Sequence, residues 1–153
     1  MDTSALARKN LDRQLSPLQG GNAPVRPPSG WIRAIRDALG MTSVQLAARM
    51  GVSQPRVTDI ERREGQDAVT LSTLRKAAEA LDCTLVYALV PNGSLDEVLR
   101  ERAGRVADDR LGRVHHTMRL EDQAMGADDL ASERERLIDE LLRGDTRRLW
   151  DEA

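Results

Sequence analysis

At 153 residues the chain has room for one domain plus appendages, and a net charge of −2 excludes a polycation. Two Trp, one Tyr and no Phe leave the core to Leu, Val, Ile, Met and Ala, a palette that suits helices. A single cysteine, Cys83, excludes an internal disulfide and fits a reducing compartment. The longest apolar run, around residues 85–90, is too short to span a bilayer, and the N-terminus lacks the apolar core of a signal peptide. A cytoplasmic protein away from membranes is expected.

Taken in chain order, residues 1–18 read as an N-terminal helix, with Ser4 as its N-cap and Leu11, Leu15 and Leu18 at helical spacing. Residues 19–30, QGGNAPVRPPSG, read as a Gly/Pro-rich linker. Residues 31–82 predict four successive helices. The first opens at Trp31, aligns Ile32, Ile35 and Leu39, and ends at Gly40. The second is capped by Thr42 or Ser43 and ends at Gly51, and the third is capped by Ser53. The fourth is capped by Thr70 and carries the stripe Leu71, Leu74, Ala77, Ala78, Leu81. Residues 83–91, CTLVYALVP, predict one short strand at about 84–90. A lone strand leaves its backbone unpaired. Either an N-terminal extended segment or the same strand of a second subunit must pair with it, and the latter gives an isologous dimer through Leu85, Val86, Tyr87 and Leu89.

Residues 94–153 predict a helical extension. It opens on a Ser94–Glu97 capping box and continues past Gly112 to about Gln123. A further helix follows over about 128–142, with a last turn at 146–150. Charge is graded along the chain. Residues 31–64 carry six basic and four acidic side chains, whereas residues 94–153 carry eleven and sixteen. The front half suits a polyanion that the tail would repel.

The stretch VQLAARMGVSQPRVTDIERRE, residues 44–64, carries the most specific pattern. Two helices cross steeply only where the side chains are small, which Ala47 supplies. The turn needs positive φ, which Gly51 supplies without steric cost. Val57 points back into the crossing, and Leu46, Met50, Val52 and Ile60 are expected to fill the core around it. This is a helix-turn-helix arrangement, whose second helix enters a DNA major groove.

With a helix on each side, residues 29–82 resemble the lambda-repressor-like (Cro/cI, or XRE) family, GVSQPRVTDIERRE above all. The resemblance implies a mainly α protein built on a five-helix DNA-binding domain, with the helix after the turn as the recognition helix. Carried onto this chain, Gln54, Arg56, Thr58 and Asp59 would face the groove. Gln pairs bidentately with adenine, Arg with guanine, and Thr meets the thymine methyl. Asp59 either accepts from cytosine or holds Arg56 or Arg63 in place. Arg62 and Arg63 are expected on phosphate. Ser43 stands where many members carry Gln, offering a hydroxyl and an N–H to phosphate but losing a Gln–Gln buttress.

Across GWIRAIRDALGMT, LVYALVP, VHHTMRLEDQA and RRLWDE the chain also resembles the bacterial mobile mystery protein A family. Members are typically encoded beside mobile mystery protein B, which carries a Fic domain of the kind that transfers AMP to proteins. This implies a DNA-binding repressor on a pseudo-palindromic operator, a homodimer, autoregulating a toxin–antitoxin-like operon with a Fic-domain partner. Alternatives are a stand-alone repressor and a protein-binding antitoxin acting through the C-terminal helices. Many Fic inhibitory helices carry Ser or Thr four residues before a Glu that precedes Gly or Asn. Here Glu64 precedes Gly65, but Ile60 occupies the Ser/Thr position, so neutralisation would need another surface. The acidic tail around Leu149 and Trp150 either supplies that surface or packs on its own dimer.

No enzyme is expected. His115 and His116 are adjacent, so on a helix they diverge by about 100° and do not converge on a metal, even with Glu121 and Asp122 nearby. Cys83 reads as a buried small hydrophobe. With no phosphate loop or serine-nucleophile elbow, neither cofactor nor metal is expected.

Overall fold

The computed structural model describes residues 3–120 and 126–151. Among them are seven α-helices: α1 Thr3–Leu15, α2 Trp31–Ala38, α3 Ser43–Met50, α4 Gln54–Gly65, α5 Leu71–Ala80, α6 Leu95–Leu120 and α7 Ala127–Arg143. Short 3-10 turns follow at Ser16–Leu18 and Thr146–Trp150. The fold is mainly helical with a helical C-terminal extension, as the residue pattern predicts. None of the described helices is long and apolar enough to cross a membrane. By internal contacts the chain forms two compact units, Ala23–Leu89 and Met1–Asn22 with Val90–Ala153.

In the unit Ala23–Leu89 the core is Ile32, Leu46, Ala47, Val57, Ile60, Ala77, Ala80 and Leu81. Each buried Ile, Leu or Val contributes about 1.5–3 kcal/mol. Ala47 and Val57 are 3% and 1% exposed, so both occupy the helix crossing their spacing predicts. Met50 packs against the same core, but Val52, expected there, is 38% exposed just beyond the turn. Gly51 closes α3 with φ 67° and ψ 32°, where a side chain would be strained. Val52 N–H then donates to the Ala47 carbonyl at 3.0 Å.

Thr42, not Ser43, caps α3. Its hydroxyl accepts from Gln45 N–H at 3.2 Å, and the Gln45 side-chain oxygen Oε1 accepts from Thr42 N–H at 2.8 Å, a complete capping box. Thr70 caps α5 by accepting from Thr73 N–H at 3.1 Å. Ser53 stands at the N-cap of α4 without a side-chain cap bond, and Pro55 occupies the first turn.

Two expectations for this unit are corrected. Of the five helices that the family resemblance implies, four stand within residues 31–80, the four that the residue pattern predicts. The chain leaves helix at Asp82, whose φ is 57°, and runs without helix or strand through residue 91. The expected strand at 84–90 is therefore not a strand, because no other described segment of the chain supplies a partner backbone.

In the other unit, α6 packs on α7 through Leu99, Ala103, Ala107 and Ile138, and Leu149 of the final turn closes this core. Small Ala103 and Ala107, both 0% exposed, suit a close approach of the two helices. Ser94 and Glu97 form the expected capping box, with bonds of 3.1 and 2.9 Å. The Asp12 carboxylate adds a second cap from α1, accepting from Leu95 N–H at 2.9 and 3.1 Å. Arg8 pairs with Asp96 at 2.7 Å beside it. Ser4 lies inside α1 rather than at its cap. The predicted continuation of α6 to Gln123, and Glu121 and Asp122 with it, lies outside the described residues.

Candidate nucleic-acid interface

The sequence of α4 divides it into two faces. Val57, Ile60, Glu61 and Glu64 recur at helical spacing and point inward. Gln54, Arg56, Thr58, Arg62 and Arg63 are exposed, and Asp59 lies partly buried among them.

Two carboxylates of the inward face fix the pose of the helix. Glu61 accepts from Arg36 of α2 through both oxygens, at 2.6 and 3.1 Å, with both side chains about nine-tenths buried. Hydrogen bonding to Glu61 raises the Arg36 pKa above its ordinary value, against the opposing effect of burial. Arg36 also donates to the Met41 carbonyl at 2.9 Å, so one guanidinium ties α2, the loop before α3, and α4. Glu64, 3% exposed, accepts from Trp31 and Ile32 N–H at 2.7 and 3.0 Å. It caps the N-terminus of α2 from across the domain. Gly30 makes room for it, since a Cβ there would lie 2.7 Å from Glu64 Oε2, and its φ of 83° is itself unfavourable for a side chain. Arg26 closes the same corner, donating to the Glu64 carbonyl at 2.9 Å and pairing with Asp67.

The outward face holds two groups. In the first, the Gln54 amide donates to Ser43 Oγ and to Thr58 Oγ1, both at 3.2 Å. The Gln–Gln buttress that Ser43 was expected to forfeit is thus replaced by a Gln–Ser contact between the first residues of α3 and α4. In the second, three guanidiniums converge on Asp59. Arg62 reaches Oδ1 at 2.5 Å, and Arg63 and Arg56 reach Oδ2 at 3.0 and 3.2 Å. The Arg62 hydrogen bond first, and the charges of Arg63 and Arg62, hold the Asp59 carboxyl below the usual carboxylate range. Ser43, Gln54 and Thr58 thus form one group and Arg56, Asp59, Arg62 and Arg63 another, both off the buried stripe of α4. Asp59 stands in the arginine-holding arrangement, one of the two its sequence position allows.

The residues 85–89 lie elsewhere on this unit. Val86, Tyr87 and Leu89 are 82%, 67% and 89% exposed. Leu85 is half-buried and lines an apolar cavity of about 170 Å³ with Ile35, Leu74 and Leu81. Of the residues weighed for other chemistry, Cys83 is half-buried against the core, His115 is half-buried on α6, and His116 is exposed.

Sequence reasoning passed over Arg36, Glu61 and the capping role of Glu64. The available signal was two carboxylates at positions where the α4 periodicity requires apolar residues. A charge on an inward stripe needs a partner.

Residues 32–87 match a family model described as Helix-turn-helix, a span running from α2 through α5 to Tyr87. The chain therefore carries a Cro/cI-like helix-turn-helix domain, which supports a DNA-binding transcription regulator and implies double-stranded DNA as its ligand. No curated protein and no solved structure matches the chain.

Proposed function

We propose that the protein is a sequence-specific repressor that lays the outward face of α4 in the major groove of a pseudo-palindromic operator. The observation that carries this reading is the fixed pose of α4. Its inward carboxylates are tied to α2, while Gln54, Arg56 and Thr58 stand exposed at its N-terminal half. That is the half that meets base edges in this motif. Gln54 suits adenine, Arg56 guanine and Thr58 a thymine methyl. Ser43, Arg62 and Arg63 take phosphates, positioning the helix without specifying sequence.

The repressor acts as a dimer, with recognition helices about 34 Å apart. The exposed Val86, Tyr87 and Leu89, beside a backbone segment without ladder bonds, support self-pairing of residues 84–90 across a two-fold axis. Resemblance to mobile mystery protein A supports autoregulation of a toxin–antitoxin-like operon with a Fic-domain partner.

Binding to the DNA upstream of its own coding sequence, compared with random DNA over a salt series, tests the reading. Arg56→Ala or Gln54→Ala is expected to lose about 1–3 kcal/mol of discrimination each. Equal, weak binding of both DNAs by the unaltered protein would refute sequence reading.

A second reading, protein binding through the C-terminal helices, is favoured by Trp150. It is 55% exposed, yet held by Arg102 stacked 5.8 Å from its ring centroid. Co-purification of the neighbouring gene product with Trp150→Ala, but not with Arg56→Ala, would reject that route.

A further inference from the structure

The arginine cluster on α4 is poorly explained by stability or by affinity for DNA. Its pairs are i,i+3 and i,i+4 contacts between side chains that are half exposed on the arginine side, at 50%, 58% and 50%, a class that contributes little to folding. A helix face built only for affinity would not place a carboxylate among its cations, because that charge opposes the phosphates. Yet Asp59 is less exposed than any of its three partners, at 28%, and uses both oxygens on them. Three cations share one anion, so an arginine that turns wholly to a phosphate gives up its bond to Asp59.

We infer that Asp59 is a specificity-determining positioning residue, which holds Arg56, Arg62 and Arg63 together and thereby penalises binding to non-cognate DNA. The inference rests on the reading of α4 as the DNA-reading helix. On random DNA the main attraction is phosphate neutralisation, and the Asp59 carboxylate competes with the phosphates for the same three arginines. On the operator Arg62 and Arg63 still reach phosphates, but Arg56 meets a base edge from the place Asp59 already gives it, and the Gln54–Ser43–Thr58 group adds contacts that need no arginine to move. The carboxylate therefore weakens both complexes, the non-cognate one more. Asp59 acts through the arginines and need not touch a base.

The test is Asp59→Asn, which keeps the shape and removes the charge. Binding is measured against a pool of random-sequence duplexes and against the duplex that the unaltered protein selects from that pool, each over a salt series. Asp59→Asn is expected to tighten random-pool binding about tenfold at low salt and to steepen its log–log salt slope by about 0.9, one further phosphate neutralised. Affinity for the selected duplex should change less than about threefold, so discrimination falls. Asp59→Glu, which restores the charge, should return random-pool affinity and salt slope towards those of the unaltered protein, a rescue that a merely structural role would not give.

Random-pool affinity that is unchanged or weaker in Asp59→Asn overturns the inference. So does a loss confined to duplexes with cytosine at one position, which would make Asp59 a base reader. If the unaltered protein selects no duplex, the sequence-reading role fails, while the random-pool arm still decides whether Asp59 restrains the arginines. Helical circular dichroism and the melting midpoint of each variant establish that the folded protein is being compared.

Discussion

The two units of the chain use the same charged residue types to different ends. In Ala23–Leu89 the ion pair Arg36–Glu61 is about nine-tenths buried, and Glu64 is buried at the end of α2. In the α6–α7 unit the pairs Arg100–Glu135, Arg134–Asp108 and Arg136–Glu133 are mostly half exposed. The first kind fixes geometry, because a buried charge tolerates few partners and few directions. The second kind covers an apolar seam already closed by Ala103, Ala107 and Ile138. A unit that presents a reading helix requires the first kind of restraint, whereas a helical pair held by its apolar seam can dispense with it.

The largest effect that would break this contrast is at Glu61. Glu61→Ala leaves the Arg36 guanidinium largely buried, with only Asp37 and the Met41 carbonyl as partners. A loss of about 3 kcal/mol is expected, read as a shift of the urea midpoint without a change in slope. Arg36→Met combined with Glu61→Leu should recover much of it, since apolar replacement of both members removes the stranded charge. A single variant as stable as the unaltered chain would show that the pair is ornamental.

Glu64 comes next. Glu64→Ala strands two N–H groups at the start of α2, at a cost of about 2 kcal/mol. Gly30→Ala should cost about as much by a different route, through a contact of 2.7 Å and a φ of 83°. Because both changes disturb the same corner, the double variant is expected to lose less than the sum of the singles. Strict additivity in chemical denaturation would dissociate Gly30 from Glu64.

How much of this was legible beforehand follows the range of the interactions. Ala47, Gly51 and Val57 were readable because a helix crossing and a tight turn dictate residue size and φ locally. The caps at Thr70 and Ser94 were readable for the same reason. Arg36–Glu61 and Glu64 with Trp31 span 25 and 33 residues, and no periodicity announces which charge meets which. The strand at 84–90 failed differently. Its β-branched, apolar composition is real, but a strand is a property of two segments, and only one was available. The seven residues assigned to DNA come from family pattern and helix face, and the structure joins them in two separate groups. The convergence of three arginines on Asp59 depended on side-chain directions that spacing alone leaves open.

The smallest effect sharpens the comparison from the other side. Asp108 accepts from Arg134 at 2.6 and 3.1 Å, and that hydrogen bond, with the charge of Arg134, holds its carboxyl below the ordinary range. A carboxyl depressed in the folded state stabilises above its unfolded pKa, and that stabilisation disappears as pH falls through the folded pKa. Both side chains are substantially exposed, at 55% and 39%, so solvent screening keeps the contribution small at neutral pH. Asp108→Asn should therefore lower the melting midpoint slightly at pH 7, less still in high salt, and the difference from the unaltered chain should close in acid, where Asp108 is protonated. Glu61→Ala should stay the more damaging change in high salt, because a buried pair is poorly screened. If salt erased both losses equally, the two units would be using charge in the same way, and burial would not be what separates them.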